Sequence, residues 1–439
     1  MDSVKIEIQN TILNQKDELL AFADDIFRHP ELGYREYRTK EKVLEIFRHM
    51  GLHRISSYGL TGVKAWLSDS PNPSLPRIAI LGEMDAVISP QHPFADPQTH
   101  AAHACGHFAG LTAMIGAGLA LLRSAPSIAG NVCLIAVPAE EYVEISYRQQ
   151  LLSKKRIHYL GGKQQLIYEG CFDDIDIAMM VHALTDTSSP QINLFSQAGG
   201  FIGKSVHFQG KEAHAGGAPY LGVNALNAAT TALMCIHAIR ETFRDEDHIR
   251  VHPIITKGGD IVNTVPADVR MESYVRAANI KAMADANQKV DRAITGGTYA
   301  VGASCTIHNL PGYLPLKESL ELSELFAENI PLFSSETTIS YHQPFCGSTD
   351  LGDLSCLLPV IQPTVSGFCG ELHSKDFCMT NSFQAILLPA MLLAAAAFDL
   401  LSNNAQKGKD ILKHFPRKSR NDYIAMWESI LTPGKGGSN

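Results

Sequence analysis

The chain has 439 residues, enough for two or three domains at roughly 150 residues each and for a core that needs no disulfide staples. Its 37 Lys and Arg against 45 Asp and Glu leave a formal net charge of −8, which gives no electrostatic reason to expect nucleic acid or an anionic membrane as a partner. Hydrophobic residues at 45% and charged residues at 19% exclude a disordered chain.

The stretch from Met1 to Glu31 is charged and helical in pattern, with no apolar signal region, and the cysteines are scattered without paired spacing. We therefore expect reduced thiols and a cytoplasmic protein. Residues 12–50 read as two amphipathic helices broken near His29-Pro30, because the residue before proline is pushed out of the helical region. Apolar runs at Arg77–Leu81, Asn131–Val137 and Asp176–Val181 read as buried strands, with helices at Gly106–Leu122 and Gly162–Glu169 between and after them. Strands alternating with helices predict an α/β domain with a mainly parallel sheet.

The pattern changes near Ser196. Strands at Phe201–Phe208, Val251–Thr256, Val269–Arg276 and Tyr299–Ile307, with helices at Leu221–Phe243 and Asn279–Ile294, spell βαββαβ, a ferredoxin-like module inserted into the larger domain. Along Val269–Arg276, Val269, Met271, Ser273 and Val275 take one face and Arg270, Glu272, Tyr274 and Arg276 the other, as in a half-buried strand. The α/β pattern resumes with a helix at Leu316–Asn329 and the run Leu358–Val365. The apolar run Ala385 to Phe398, interrupted by Pro389, is too short to span a bilayer and predicts a buried helix. A further helix is expected at Tyr423–Leu431. The domain reading is residues 1–195 plus 310–439 for the catalytic domain and 196–309 for the insertion.

The residues suited to chemistry sit where these strands end. His103-Ala-Cys105-Gly-His107 opens a Gly/Ala-rich helix, and thiolate with imidazole suits zinc and other borderline metals. Glu140-Glu141 follows the buried run Val132–Val137. Adjacent carboxylates diverge in direction, so one can bind metal while the other serves as general base. The run Met179–Val181 leads into His182, Leu81-Gly leads into Glu83 and Asp85, and a Gly-rich loop carries His373. Open α/β sheets place their sites at such strand ends. Cys105, His107, Glu141, His182 and His373 are five candidate ligands, more than one tetrahedral structural site takes; two metals, or one open catalytic metal, fit better. Cys105 as a nucleophile, with His103 or His107 as base, is a competing reading that leaves Glu140, Glu141, His182 and His373 without a role.

In order along the chain stand His29-Pro-Glu-Leu-Gly33, Gly82–Asp85, His103–His107, Glu140-Glu141 and Gly210-Lys-Glu-Ala-His214. Gly258-Gly…Asn263-Thr-Val-Pro266, Gly347-Ser-Thr-Asp350 and His373-Ser374 complete the series. With these motifs the chain resembles the M20 metallopeptidase/amidohydrolase family, in the branch whose metal motif is His-Ala-Cys-Gly-His. That branch includes aminobenzoyl-glutamate hydrolase subunits, auxin-conjugate hydrolases, N-acyl-amino-acid amidohydrolases and carnosine-type dipeptidases.

The resemblance implies a metal-dependent amidohydrolase acting on a small N-acyl amino acid, amino-acid conjugate or dipeptide. It implies two divalent ions, zinc or manganese, on Cys105, His107, Glu141, His182 and His373. Glu140 would be the general base, and Asp85 would orient a metal ligand. His214 and Asn263, in the inserted domain, would reach a neighbouring active site of a homodimer to bind substrate or steady the oxyanion. Arg276 would clamp a substrate carboxylate, against its plain reading as a charge on a strand surface. The contrasting class is an inactive scaffold that keeps the fold, although such proteins usually lose the base or a ligand. Two departures stand out. Glu83 occupies a position where other branches carry a metal-binding His. The stretch Tyr142–Leu160, longer and more charged than the usual glycine-rich link, is expected to shape the substrate pocket.

Overall fold

The computed structural model describes residues 3–185, 191–195, 197–341, 344–345 and 347–432, and these fall into two compact units. The first comprises Met1–Gln197, Leu316–Phe345 and Asp353–Tyr423, and the second Ala198–Pro315, Cys346–Gly352 and Ile424–Asn439.

The first unit is built on a six-stranded sheet. Its strands run Ile55–Tyr58, Gly62–Trp66, Val132–Val137, Ile78–Glu83, Ile177–Met179 and Val360–Ile361 in spatial order. The last four are parallel and the first two antiparallel. Val132–Val137 and Ile78–Glu83 are buried along their whole length, which is why their sequences read as unbroken apolar runs rather than alternations. The helix His107–Ser124 packs on Ile78–Glu83 and against the apolar helix Leu388–Leu401. A π-helical turn, Phe383–Leu387, precedes that second helix, so the helical stretch Phe383–Leu401 reaches 19 residues. Its length and apolarity would suit a membrane, contrary to the reading of Ala385 to Phe398 alone, but 83% of it is buried within the fold.

The apolar run Leu358–Val365 holds two short strands. Val360–Ile361 pairs with Ile177–Met179, and Thr364–Val365 pairs with His182–Ala183 in a separate four-stranded sheet. Pro363 interrupts the ladder because it lacks an N–H, yet its carbonyl still accepts from His182 N–H at 3.0 Å. The paired crossing from one sheet to the next carries His182 past the end of the parallel sheet. The N-terminal region is three helices, Ser3–Asn14, Lys16–Arg28 and Tyr37–His49.

The second unit is the βαββαβ module, with strands Gly200–Gln209, Arg250–Lys257, Asp268–Ala277 and Ser304–Tyr313 and helices Ala225–Ile239 and Ile280–Ala300. The second, third, first and fourth strands lie side by side in one antiparallel sheet. Val269, Met271, Ser273 and Val275 are buried and Arg270 is exposed, as the alternation predicted. Both helices start later than expected, after Asn224 and Asn279, whose side chains cap them by accepting from Leu226, Asn227 and Ala282 N–H groups. The last strand also starts later: Tyr299 still belongs to the helix, which runs through Gly296-Gly297, and the strand begins only beyond the turn at Gly302.

Candidate metal centre

Five loops of the first unit converge, and four of them follow strands. The strand Ile78–Glu83 ends on Glu83 and leads into Asp85; Val132–Val137 leads into Glu140 and Glu141; His182 follows Ile177–Met179; and the hairpin after Thr364–Val365 presents His373. The fifth loop carries His103 to His107 and enters the helix His107–Ser124. Gly106 makes that entry with φ +81, a backbone conformation that glycine adopts without steric cost. A Cβ there would also lie 2.5 Å from the Ala183 methyl, so the loop and the His182 strand approach closely.

Cys105, His107 and His182 form one group of ligand atoms, and Cys105, Glu141 and His373 a second, with the Cys105 thiol common to both. Cys105 Sγ lies 3.5 Å from His182 Nε2 and 3.2 Å from His373 Nε2, and His373 Nε2 lies 3.1 Å from Glu141 Oε1. Ligand atoms around a tetrahedral ion at 2.0–2.3 Å are separated by roughly 3.3–3.8 Å, so the spacing suits a metal with little adjustment. A third group, Glu83, His107 and Glu140, adjoins the first through His107.

The imidazoles are held for this task. His107 Nδ1 hydrogen bonds the Asp85 carbonyl at 2.8 Å and sits 3.2 Å from Asp85 Oδ1, which leaves Nε2 buried and without a hydrogen-bond partner among the described residues. Metal-binding histidines are oriented in this way, through the nitrogen that does not bind. The other carboxylate oxygen of Asp85 accepts the Glu141 N–H at 2.8 Å, so one buried residue, through its carbonyl and its side chain, holds two of the five candidate ligands. His182 Nδ1 is engaged by the Ala183 carbonyl, which aims Nε2 at Cys105.

The electrostatics of the site suit cations. Burial pushes the Cys105 thiol well up, and the Glu141 charge adds to it. Burial raises Glu141 too, but the His373 hydrogen bond and the charges of His373 and His107 outweigh it and hold the carboxyl at about 2. His107 is held well above its ordinary value: burial opposes its charge, but Glu83 and Asp85 more than compensate. Protons on His107 and His373 thus supply the positive charge that the carboxylates demand, a place a divalent ion can take, while burial lowers the pKa of His182. The donor set fits a metal centre, with His107 Nε2 buried, facing carboxylates and making no hydrogen bond among the described residues.

Two supports escaped the sequence reading. Lys163, fully buried, places Nζ 2.5 Å from Glu83 Oε1, while Glu83 Oε2 lies 3.3 Å from His107 Nε2. Burial opposes the Glu83 charge, and Lys163 and His107 overcome it to lower its pKa. The second support is Arg148, in the helix Ile145–Ser153 of the stretch Tyr142–Leu160. Its buried guanidinium donates to the carbonyls of Ala139, Leu160 and Glu141. Ala139, directly before Glu140, has φ +52, a strained conformation for a residue with a side chain. It is held on every polar atom: its N–H donates to Glu36, and its carbonyl accepts from Arg148 and Gly162. A charged residue in an unusually charged insert was the signal for Arg148. Nothing local marked Lys163, which stands beside Gln164 and Gln165 in a polar first turn.

The remaining predicted residues lie in the second unit. His214 pairs with Thr264 through a β-bridge, and Asn263 O accepts the Ala215 N–H, so His214 and Asn263 are neighbours there. His214 Nδ1 accepts from the N–H groups of Gly216 and Gly217, which assigns the ring proton to Nε2. Arg276 donates to Ser348 Oγ at 2.8 Å and lies over the rings of Phe201 and Tyr274.

Comparison with known proteins shows what the chain resembles in sequence and in fold. Residues 197–298 match the family model of the peptidase dimerisation domain of M20 enzymes. The chain is 26% identical to mouse Xaa-Arg dipeptidase over 420 residues, covering 88% of this chain and 86% of that protein. It is 28% identical over 294 residues to a p-aminobenzoyl-glutamate hydrolase subunit from Escherichia coli, covering 65% of this chain and 55% of that one. Among solved structures, an aminobenzoyl-glutamate utilization protein from Klebsiella pneumoniae superposes with a TM-score of 0.68 at 18% identity, over 90% of this chain and 99% of that chain. A dinuclear metal binding peptidase from Bacillus subtilis gives 0.63 at 18% identity, over 88% and 98%.

Proposed function

The chain belongs to the M20 peptidase family, and on that premise we propose that it is a two-metal amidohydrolase cleaving the amide bond of a small N-acyl amino acid, amino-acid conjugate or dipeptide. The observation that carries this reading is the Cys105 thiol standing in two ligand triads at once, with the Glu140 carboxylate beside them. Cys105, His107 and His182 would hold one ion and Cys105, Glu141 and His373 the other, with zinc or manganese suited to this mixed sulfur, nitrogen and oxygen set. Bound there, the ions would supply Lewis acidity toward the substrate carbonyl and make water a nucleophile near neutral pH.

The chain's own groups do the rest. Glu140 takes the proton of the attacking water and delivers it to the departing amine. Asp85 keeps His107 and Glu141 in register. His214 Nε2–H and the Asn263 amide are donors suited to a developing oxyanion, contributed by a second copy of the chain. Arg276 takes the carboxylate of an amino-acid substrate, its guanidinium oriented by Ser348 and the flanking rings. The relatives named as a dipeptidase, an aminobenzoyl-glutamate hydrolase and an auxin-amino acid hydrolase share this substrate chemistry, an acyl or aminoacyl group joined to an amino acid. A homodimer through the second unit is supported by its dimerisation-domain match. The edge strand Arg250–Lys257 leaves Ile254 and Ile255 exposed, and the helix Ala225–Ile239 exposes Met234. An inactive scaffold is disfavoured because Glu140 and all five ligand side chains are retained and assembled.

The test is amine release from a panel of N-acyl amino acids and dipeptides, including Xaa-Arg dipeptides and p-aminobenzoyl-glutamate, by zinc- or manganese-loaded protein. Glu140→Ala should reduce kcat by about 10²–10⁴-fold, the usual worth of a positioned base. Undiminished turnover in that variant, or none from the metal-loaded chain across the panel, overturns the reading.

A further inference from the structure

The loop that presents His373 is closed at its base by two cysteines. Phe368–Cys369 and Cys378–Met379 form a two-residue antiparallel hairpin in which Cys369 stands directly opposite Cys378. Opposed residues in such a ladder have Cα atoms about 4.5–5.5 Å apart, within the range a disulfide bridges. The two Sγ atoms are 3.0 Å apart, so a bond of about 2.05 Å needs a contraction of roughly 1 Å and no rebuilding of the hairpin. Both cysteines are free thiols, Cys378 exposed and Cys369 partly so. We propose that Cys369 and Cys378 form a reversible dithiol–disulfide site whose oxidation locks the loop carrying His373.

The loop needs such a fastening. Two residues per strand make a weak ladder. The turn holds Gly370 at φ +75 and His373 at φ +65, and His373 bears a side chain that does not favour that region. Its anchors are the His373 N–H to the Ala104 carbonyl at 2.7 Å, His92 Nε2 to the Phe377 carbonyl at 3.0 Å, and the stack of Phe368 on Phe377. These place His373 against Cys105, but its side chain remains half exposed. A covalent closure removes open conformations of the loop and so retards the loss of this ligand.

A low-molecular-weight disulfide such as oxidised glutathione is the oxidant. The thiolate of the more exposed Cys378 attacks one glutathione sulfur, breaking that S–S bond and releasing one glutathione thiolate. The Cys369 thiolate then attacks Cys378 Sγ, forming the internal disulfide and releasing the second. Two protein thiols lose two electrons and two protons, and one glutathione disulfide becomes two thiols.

The proposal rests on the ligand role of His373 for its consequence, but not for its chemistry. The experiment treats zinc-loaded full-length protein with oxidised or reduced glutathione, alkylates the remaining thiols and digests with trypsin. Lys375 lies inside the loop, so cleavage there leaves its two flanking peptides joined only through a disulfide, and fragmentation of the joined pair, whose first peptide also carries Cys346 and Cys356, must assign the bond to Cys369. The expected result is a joined pair, lighter by two hydrogens than the sum of the peptides and separated by dithiothreitol. Zinc transfer to a chelator should be at least threefold slower from the oxidised protein, and indifferent to glutathione redox state in Cys378→Ser. Glutathione adducts on Cys378 without the joined pair overturn the site; a joined pair with unchanged zinc transfer overturns the lock. Neither readout uses turnover, so a chain that forms the pair yet hydrolyses nothing would refute the proposed activity and leave the redox site standing.

Discussion

The ammonium of Lys163 lies 2.5 Å from Glu83 Oε1, with both side chains shut away from solvent, and the other oxygen of Glu83 faces His107. The pair is a charged brace behind the metal centre. Removing one partner leaves the other buried and uncompensated, which typically costs about 3–5 kcal/mol, whereas removing both is far cheaper. Lys163→Met should therefore destabilise the chain by about that amount in urea unfolding, and adding Glu83→Gln should restore most of the loss. Additive losses in the double variant would show that the two do not act as a pair.

Arg148 and Gly33 form a second brace. A Cβ on Gly33 would lie 2.3 Å from Arg148 Nη2 and 2.8 Å from Ala139 Cα. Gly33→Ala must therefore push the guanidinium or the backbone before Glu140. Arg148→Ala removes the donors on the Ala139 and Glu141 carbonyls. Both changes should lower kcat by about ten- to a hundredfold with little change in KM, since they displace a catalytic group and not the substrate's binding groups. An unchanged kcat in Arg148→Ala would mean that the loop holds its shape without the clamp.

Metal binding should release protons. His107 and His373 are held above their ordinary values and the Cys105 thiol is pushed up, so ligands that bind deprotonated carry protons in the metal-free chain. Affinity for zinc in chelator competition should then be at least tenfold higher at pH 8.5 than at pH 6.5. Calorimetry in buffers of different ionisation enthalpy should report proton release. A binding heat independent of the buffer would contradict this.

Glu36 imposes a pH dependence on stability. It is fully buried, and burial first and the Asp85 charge second push its carboxyl from 4.5 up to about 7, against hydrogen bonds from Thr61 and Ala139. Between those values the native chain holds a proton that the unfolded chain has lost. Its contribution is thus fully present below pH 4.5 and is lost as pH rises through 7, on the order of 3 kcal/mol in total. Glu36→Gln should flatten that part of the stability curve in chelator-treated protein, as measured by urea unfolding at pH 5 and pH 8. An unaltered slope would place the titration elsewhere.

Several of the candidate site residues were legible because they follow a break in a pattern. Glu140 and Glu141 come after six buried residues, Glu83 and Asp85 come at the end of another such run, and His182 follows Met179–Val181. The inserted module was legible in the same local way, through the alternation at Val269–Val275. The division of the run Leu358–Val365 between two sheets was not legible, because period and composition do not say which sheet a residue joins; Pro363 marks the change only once both partners are known. Cys369 and Cys378 looked like scattered thiols because their opposition comes from hairpin register, which spacing along the chain does not express.

By itself, the sequence determined the inventory: two layers of patterning, the thiol, imidazole and carboxylate donors, and the order in which they occur. Those are properties of residues and of their near neighbours, and side-chain periodicity reports them directly. Only the tertiary structure decided that Cys105 serves both triads, that Lys163 neutralises Glu83 across 80 residues of chain, and that Arg148 reaches back to the carbonyls beside Glu140. The reason is that burying a charge or a strained backbone demands a partner, and the packing of helices and loops around the sheet, not local periodicity, decides which group supplies it.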